Sequence, residues 1–260
     1  MTGDGGTGEM TTDSVDTVDR ERRRALALIA ASVSVALAPG VFLVSAGAAR
    51  SRPPGMPATA ENRWGLLIDV GDCPDRCRAC VEACRDENGW GGADGDTAAS
   101  GWIRAVRVSD TATGAATTVP VMCQHCETPP CVDVCPTSAS FRRADGIVLV
   151  DKHRCIGCRY CMMACPFGAR SFVGENVSNQ KAHAPRGKGT VESCTLCVHR
   201  VDTGNQPACV VACSLAGNRT MLFGDLNDPE SDISQAVTRH LARRIRPDLA
   251  LGQSVLYTGF

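Results

Sequence analysis

Sixteen cysteines in four groups of four constrain this 260-residue chain more than any other feature. Cys73, Cys77, Cys80 and Cys84 form the first group, and Cys123, Cys126, Cys131 and Cys135 the second. Cys155, Cys158, Cys161 and Cys165 form the third, and Cys194, Cys197, Cys209 and Cys213 the fourth. Every group closes on two cysteines with three residues between them, and the second and third run on into Pro136 and Pro166. Thiols in such numbers serve as disulfides, as zinc ligands or as iron–sulfur ligands, and spacing separates these uses.

The third group reads C-x2-C-x2-C-x3-C-P. In that run, three closely spaced thiolates hold irons of one [4Fe–4S] cubane and the fourth cysteine ligates the neighbouring cluster, so such motifs come in pairs. Four motifs imply two pairs and four [4Fe–4S] clusters. A structural zinc ion takes one CxxC with a second ligand pair, commonly a dozen or more residues away. Only the fourth group, with eleven residues between Cys197 and Cys209, has that look. Disulfides suit an exported protein, but cysteines this close in sequence make poor long-range staples. Zinc and disulfide bonding stand as the alternatives to iron–sulfur ligation.

The N-terminus bears on the compartment. Residues 1–19 are rich in Gly, Thr, Ser and Asp, and Gly3-Asp4-Gly5-Gly6-Thr7-Gly8 matches GxGxxG. No strand pattern precedes it and no helix pattern comes after it, so it is rejected as a dinucleotide site. Arg20, Arg22, Arg23 and Arg24 lead into an uncharged run, 25–49, that includes the small residues Ala46-Gly47-Ala48. A basic start, an apolar middle and a small-residue end describe an export signal over residues 1–48. The adjacent arginines after a long polar lead-in resemble a twin-arginine (Tat-type) signal, with Ala25-Leu26 where that signal prefers Phe-Leu. A retained anchor is the other reading, because a run of this length spans a bilayer; Pro39-Gly40 weakens it. Thiolate clusters are assembled in a reducing cytosol. A periplasmic protein exported folded, with its clusters in place, is the expectation.

The formal charge of −1 and pI near 6.5 argue against a nucleic-acid partner. Four oxidised clusters, each carrying about −2 with its thiolates, make the loaded protein distinctly acidic. Residues 49–62 are rich in Pro, Ala and Ser and read as a linker, with the folded part starting near Arg63. Apolar runs predict strands at 64–70, 102–108, 117–122, 146–151 and 220–225, and short helices at 81–87, 132–134 and 162–164. The fold class is α+β: two ferredoxin-like double-cluster modules, loop-rich, following the signal segment. No large continuous core is evident, and the clusters supply much of the interior.

The stretch from Arg63 to Phe260 resembles a family of four-cluster ferredoxin-type electron-transfer subunits. These accompany polysulfide, tetrathionate, dimethyl sulfoxide and nitrate reductases and formate dehydrogenases. The likeness rests on VMCQHCETPPCVDVCPTSAS, GIVLVDKHRCIGCRYCMMACPFGAR and SCTLCVHRVDTGNQPACVVAC. Within the family, RWGLLIDV, CRACVEACRDENGW and LFGDLNDPESDIS are most similar to the exported iron–sulfur subunit of the membrane complex linked to dissimilatory sulfite reductase.

The resemblance implies that groups one and four pair, as do groups two and three. It implies one cluster on Cys73, Cys77, Cys80 and Cys213, and a second on Cys194, Cys197, Cys209 and Cys84. A third takes Cys123, Cys126, Cys131 and Cys165, and the last takes Cys155, Cys158, Cys161 and Cys135. The modules are then 63–95 with 186–225, and 117–175, with 226–260 as a C-terminal extension. Two departures from the family pattern stand out: three residues separate Cys73 from Cys77 where two are usual, and Arg85 and Ser214 stand where proline would come after Cys84 and Cys213. The implied partners are an integral membrane quinone-interacting subunit, a multihaem cytochrome c, and further haem and iron–sulfur subunits. Membrane association comes through these partners.

No catalytic site of its own is legible: Ser–His–Asp order, P-loop and HExxH are all missing. His125, inside Cys123-x2-Cys126, reads as structural because a Rieske centre needs two His in place of cysteines. His153 and His199 also flank ligands and read as supporting or surface groups. Arg76, Arg78, Arg85, Arg154, Arg159, Arg170 and Arg200 offset cluster charge or keep the surface soluble. The 38 residues between Cys84 and Cys123 read as a long surface insertion.

Overall fold

A computed structural model describes residues 36–38, 41–42, 56–91, 101–114, 116–178, 180–218 and 220–260. The chain divides into two units, Met1–Ala48 and Ala49–Phe260. In the first, strands β1 (Ala36–Ala38) and β2 (Val41–Phe42) pair antiparallel. The rest of the export-signal segment, and the linker before Met56, lie outside the described residues. Among the described residues no helix is long and apolar enough to cross a membrane.

The second unit runs β3 (Trp64–Asp69), α1 (Ala79–Asn88), β4 (Ile103–Ser109), β5 (Ala116–Met122), α2 (Pro130–Asp133), β6 (Ser140–Arg142) and β7 (Val148–Val150). It continues α3 (Tyr160–Ala164), β8 (Ser171–Phe172), β9 (Val191–Glu192), α4 (Val198–Val201), α5 (Ala208–Leu215), β10 (Met221–Asp225), α6 (Asp232–Arg239) and β11 (Val255–Thr258). The five strand segments and three helices read from the sequence lie where expected, to within a few residues at their ends. The strands β6, β8, β9 and β11 and the helices α4, α5 and α6 add to them.

The sequence WGLLID makes β3 apolar nearly throughout, as a strand covered on both faces should be. It is the middle strand of a three-stranded sheet, antiparallel to β10 and parallel to β11. Its side chains alternate between two clusters. Leu66, Ile68 and Val70 join the main core with Met221, Val255 and Tyr257. Leu67 turns the other way, with Leu256, onto Ile233 and Ala236 of α6. Ser231 caps that helix, its Oγ accepting the Ser234 N–H at 3.3 Å. The segment after residue 225 therefore builds the sheet.

The main core corrects the expectation that no large continuous core exists. One buried cluster extends from Trp64 and Leu66 through Trp102, Ile103 and Met122 to Val148, Val191 and Tyr257, and it includes Cys80, Cys84, Cys123, Cys131, Cys194 and Cys209. Apolar side chains from distant segments interleave between the cysteine groups, which local pattern does not show. The long insertion is corrected too. Trp90 and Trp102 are buried, and β4 and β5 form a hairpin in register from Ile103↔Met122 to Ser109↔Ala116. Val106 and Val108 are exposed. Residues 92–100 of the insertion lie outside the described residues.

Candidate metal centre

The four cysteine groups share one backbone device. The residue immediately before the second cysteine of each has positive φ: Arg76 at 60°, His125 at 43°, Gly157 at 71° and Leu196 at 53°. A left-handed residue after right-handed or extended neighbours turns backbone N–H groups into a concave anion-binding nest. At Leu196 the N–H donates to Cys194 Sγ at 3.4 Å, and the His125 N–H likewise favours the Cys123 thiolate. The extra residue between Cys73 and Cys77 leaves the device intact, since Arg76 still directly precedes Cys77. Only Gly157 satisfies a second demand, because a Cβ there would collide with the Gly189 carbonyl. The three side-chain-bearing residues hold an unfavourable conformation, which persists where the surroundings fix it.

The fold then gathers the sulfurs crosswise. Cys73 and Cys80 each have both Cys77 and Cys213 as neighbours close enough to perturb their ionisation. Cys194, Cys197 and Cys209 stand in the same relation to Cys84. One cavity is lined by Cys123, Cys126, Cys131 and Cys165 beneath Pro129 and Phe167. Another is lined by Cys135, Cys155, Cys158 and Cys161 beside Ile156. In each case three thiols of one group meet the last thiol of another. The gatherings also neighbour one another in series, close enough to perturb ionisation: Cys80 with Cys209, Cys194 with Cys123, and Cys131 with Cys161. Exposure is greatest at the ends of the series, where Cys158 is exposed and Cys73 and Cys77 are half-buried. All sixteen thiols are free, so disulfide bonding is not what holds this fold.

Burial dominates their chemistry. It pushes the Cys80, Cys123 and Cys126 thiols up to about 12, and Cys84, Cys194 and Cys209 well above the ordinary thiol range. Buried thiols so hard to ionise need a cation to take the proton's place, which is what metal ligation does. The donors around them suit sulfur anions. Trp90 Nε1 donates to Cys84 at 3.2 Å, Ser140 N to Cys135 at 3.3 Å, Val191 N to Cys155 at 3.4 Å, Ala169 N to Cys165 at 3.5 Å and Asn218 Nδ2 to Cys77 at 3.5 Å. At Cys135 burial is outweighed by such donors, Ser140 first, and the thiol falls below its usual range.

The structure divides the arginines that the sequence left together. Arg76 and Arg78 are exposed, and Arg159 lies over the Phe172 ring, 3.7 Å from its centroid. Arg170 is 4% exposed and sits among Cys131, Cys123 and Cys161, whose charge outweighs burial and raises its pKa. Its Nη1 donates to Ser140 Oγ at 2.6 Å, while its Nη2 is buried without a hydrogen-bond partner. That orphaned donor between two thiol sets fits a sulfide-bearing, anionic group. His125 is buried and neutral, its pKa lowered to about 3 by burial and by Arg170; its Nδ1 accepts the Val148 N–H at 3.0 Å. His153 is exposed, and His199 bonds Glu87 Oε1 at 2.8 Å. Sequence reasoning missed Trp90, Ser140 and Asn218 as donors to sulfur. Trp90 had a local signal in its spacing, six residues after Cys84; Asn218 reaches Cys77 only through the tertiary fold.

A loop-rich α+β chain with four crosswise thiol sets, fed by N–H donors and one buried cation, is an iron–sulfur electron-transfer protein. Residues 115–226 match the model of the 4Fe-4S dicluster domain. The chain is 36% identical over 229 residues to the Hdr-like menaquinol oxidoreductase iron-sulfur subunit 1 of Archaeoglobus fulgidus, covering 76% of this chain and 83% of that protein. It is 36% identical to a subunit of tetrathionate reductase from Salmonella typhimurium, over 76% of this chain and 73% of the relative. With a subunit of sulfite dehydrogenase from Allochromatium vinosum the identity is 37%, over 70% and 77% of the two chains. The chain belongs to this family of [4Fe–4S] dicluster iron–sulfur subunits. It carries [4Fe–4S] clusters, and its sixteen cysteines match the needs of four.

Proposed function

We propose that the protein is a four-cluster wire, the electron-relay subunit of a respiratory membrane complex linked to sulfite metabolism. The crosswise gathering of thiols carries this reading: each group's last cysteine stands with the first three of its partner group. The ligand sets are Cys73, Cys77, Cys80 and Cys213; Cys194, Cys197, Cys209 and Cys84; Cys123, Cys126, Cys131 and Cys165; and Cys155, Cys158, Cys161 and Cys135. Bound [4Fe–4S] clusters supply one-electron chemistry. The chain orders the four sets in that sequence, buries the thiols of the middle two sets except the half-buried Cys165, and brings Cys73 and Cys77 at one end and Cys158 at the other nearest the surface. N–H donors to sulfur and the Arg170 cation favour added negative charge and so raise the potential at which electrons are accepted.

One end exchanges electrons with a membrane quinone-interacting subunit, a role supported by the likeness to the menaquinol oxidoreductase subunit. A multihaem cytochrome c and further haem and iron–sulfur subunits complete the complex. The protein works on the periplasmic face, reached in folded form through the Tat-type signal of residues 1–48. A second reading, the electron-transfer subunit of a molybdopterin oxidoreductase, draws on the likeness to the tetrathionate reductase subunit.

Purification without oxygen yields, on this proposal, a brown protein with about sixteen iron and sixteen sulfide per chain, as four cubanes require; a colourless zinc protein refutes it. Capture of the tagged chain from mildly solubilised membranes separates the two complexes. A small multihaem cytochrome supports the sulfite-linked complex, and a molybdopterin subunit overturns it.

A further inference from the structure

Outside the thiol sets, three classical metal-binding side chains from three separate segments meet at one point. Glu87 lies near the end of α1, His199 in α4, and His183 in the connection that precedes β9. One ligand atom of each lies within 4.8 Å of the others. The two imidazoles stack at 3.9 Å between centroids, with 26° between their planes. Both direct Nε2 at the same residue: His199 to Glu87 Oε1 and His183 to the Glu87 carbonyl oxygen, each at 2.8 Å. Arg200 Nη1 donates to the other carboxylate oxygen, Oε2, at 2.9 Å and so fixes the carboxylate from behind.

We propose that Glu87, His183 and His199 form a binding site for a divalent transition-metal ion of the zinc class, separate from the iron–sulfur ligands. Two neutral imidazoles and one carboxylate oxygen are a donor set that such ions favour, with bond lengths near 2.0–2.2 Å and a fourth position left to water. Donor atoms within 4.8 Å need only a small inward movement to reach that geometry, since ligands on one tetrahedral ion stand roughly 3.3–3.5 Å apart. His183 is exposed, and an imidazole at the surface swings at little cost. The guanidinium of Arg200 opposes a cation at this point but supplies the outer hydrogen bond that orients a ligating carboxylate. The bound ion ties the 180–190 connection to the helix that carries Cys84 and to the one that starts after Cys197, a cross-link beside the Arg186 Nη1 bond to the Gly89 carbonyl at 2.6 Å.

The test uses the full chain with its clusters in place. Holoprotein is dialysed to equilibrium against zinc in an oxygen-free chamber, and zinc and iron are counted in the same sample. The expected result is one zinc per chain beyond background with iron unchanged, and retention at least about tenfold weaker in His183→Ala, a loss no smaller than that of an outer-shell partner. His183 is remote from every cysteine in sequence, so that variant keeps its iron; His199→Ala serves as a second variant, scored only if its iron is intact. The proposal is overturned if wild type and His183→Ala retain equal zinc, or if zinc enters only as iron leaves. The iron count itself reports on the four-cluster reading, so failure of one is distinguishable from failure of the other.

Discussion

The half built from groups one and four differs from the half built from groups two and three in the residue next to the last cysteine. Pro136 and Pro166 come directly after Cys135 and Cys165, and the helices there are short: α2 and α3 end at Asp133 and Ala164. Cys165 is extended, at φ −80° and ψ 110°, as the residue before a proline prefers. Arg85 and Ser214 come directly after Cys84 and Cys213, and there α1 continues to Asn88 and α5 to Leu215. The longer helices place Cys84, Cys209 and Cys213 in the interior, whereas Cys135, Cys155 and Cys165 are half-buried and Cys158 is exposed. One kind of cysteine motif, with or without its proline, thus makes a more buried half, open only at Cys73 and Cys77, and a less buried half, with Cys158 at the surface and Cys135, Cys155 and Cys165 half-buried.

Cutting one ligand from each half gives the largest contrast. Cys84→Ala and Cys158→Ala each lose about four iron. Cys84→Ala also empties a buried site and lowers the melting temperature by about 10 °C, since roughly 3 kcal/mol of cavity and ligation loss is worth a few degrees per kcal/mol at this size. Cys158→Ala melts within a few degrees of wild type. Iron analysis and thermal melts of the two variants check this, and equal melting points would erase the distinction between the halves. Installing the missing proline comes next. Ser214→Pro breaks α5 and costs about 3 kcal/mol, while Pro136→Ala, beyond the end of α2, costs less than about 1 kcal/mol; denaturant titration of the holoproteins measures both.

Charge sharpens the contrast, because the half built from groups two and three holds a buried cation among its thiols. Arg170→Met removes a cation shared by Cys123, Cys131 and Cys161 and shifts the potentials of those clusters negative. Arg76→Met, whose side chain is 82% exposed, leaves all potentials where they were. Redox titration followed by electron paramagnetic resonance separates the two. Trp90→Phe deletes the N–H···S bond at Cys84, costs about 1–2 kcal/mol and moves one potential of the more buried half negative by a smaller step. The last effect is at Tyr257 and appears only at alkaline pH. Burial raises its hydroxyl to about 12, against 10 in the unfolded chain. The unfolded state therefore loses this proton first, and the stability Tyr257 contributes is whole below pH 10 and declines as pH rises from 10 to 12. Tyr257→Phe shows no such decline relative to wild type in melts across that range.

The thiol groups, the α+β class and most of the strands around the cysteines were legible because they are written locally, in short cysteine spacings and in runs such as WGLLID. The positive-φ residue before each second cysteine was not, since only Gly157 among the four is a residue that announces that conformation. Arg170 looked like six other arginines beside ligands until the fold buried it. The C-terminal segment read as an appendage because VLYT carries no partner information of its own; its place beside β3 is decided by Leu256 and Tyr257 filling opposite faces of one sheet.

That sheet has a consequence for the order of events in the cell. Leu66 pairs with Val255 and Ile68 with Tyr257, so β3 lacks one neighbour until β11 has been made. A ribosome delivers β11 nearly two hundred residues after β3, and pairing across so long a stretch of sequence is slow to form. Until then β3 presents an unpaired edge, of the kind that recruits foreign strands. A chain cut before Val255 therefore lacks the strand that closes this side of β3 and leaves a sticky edge.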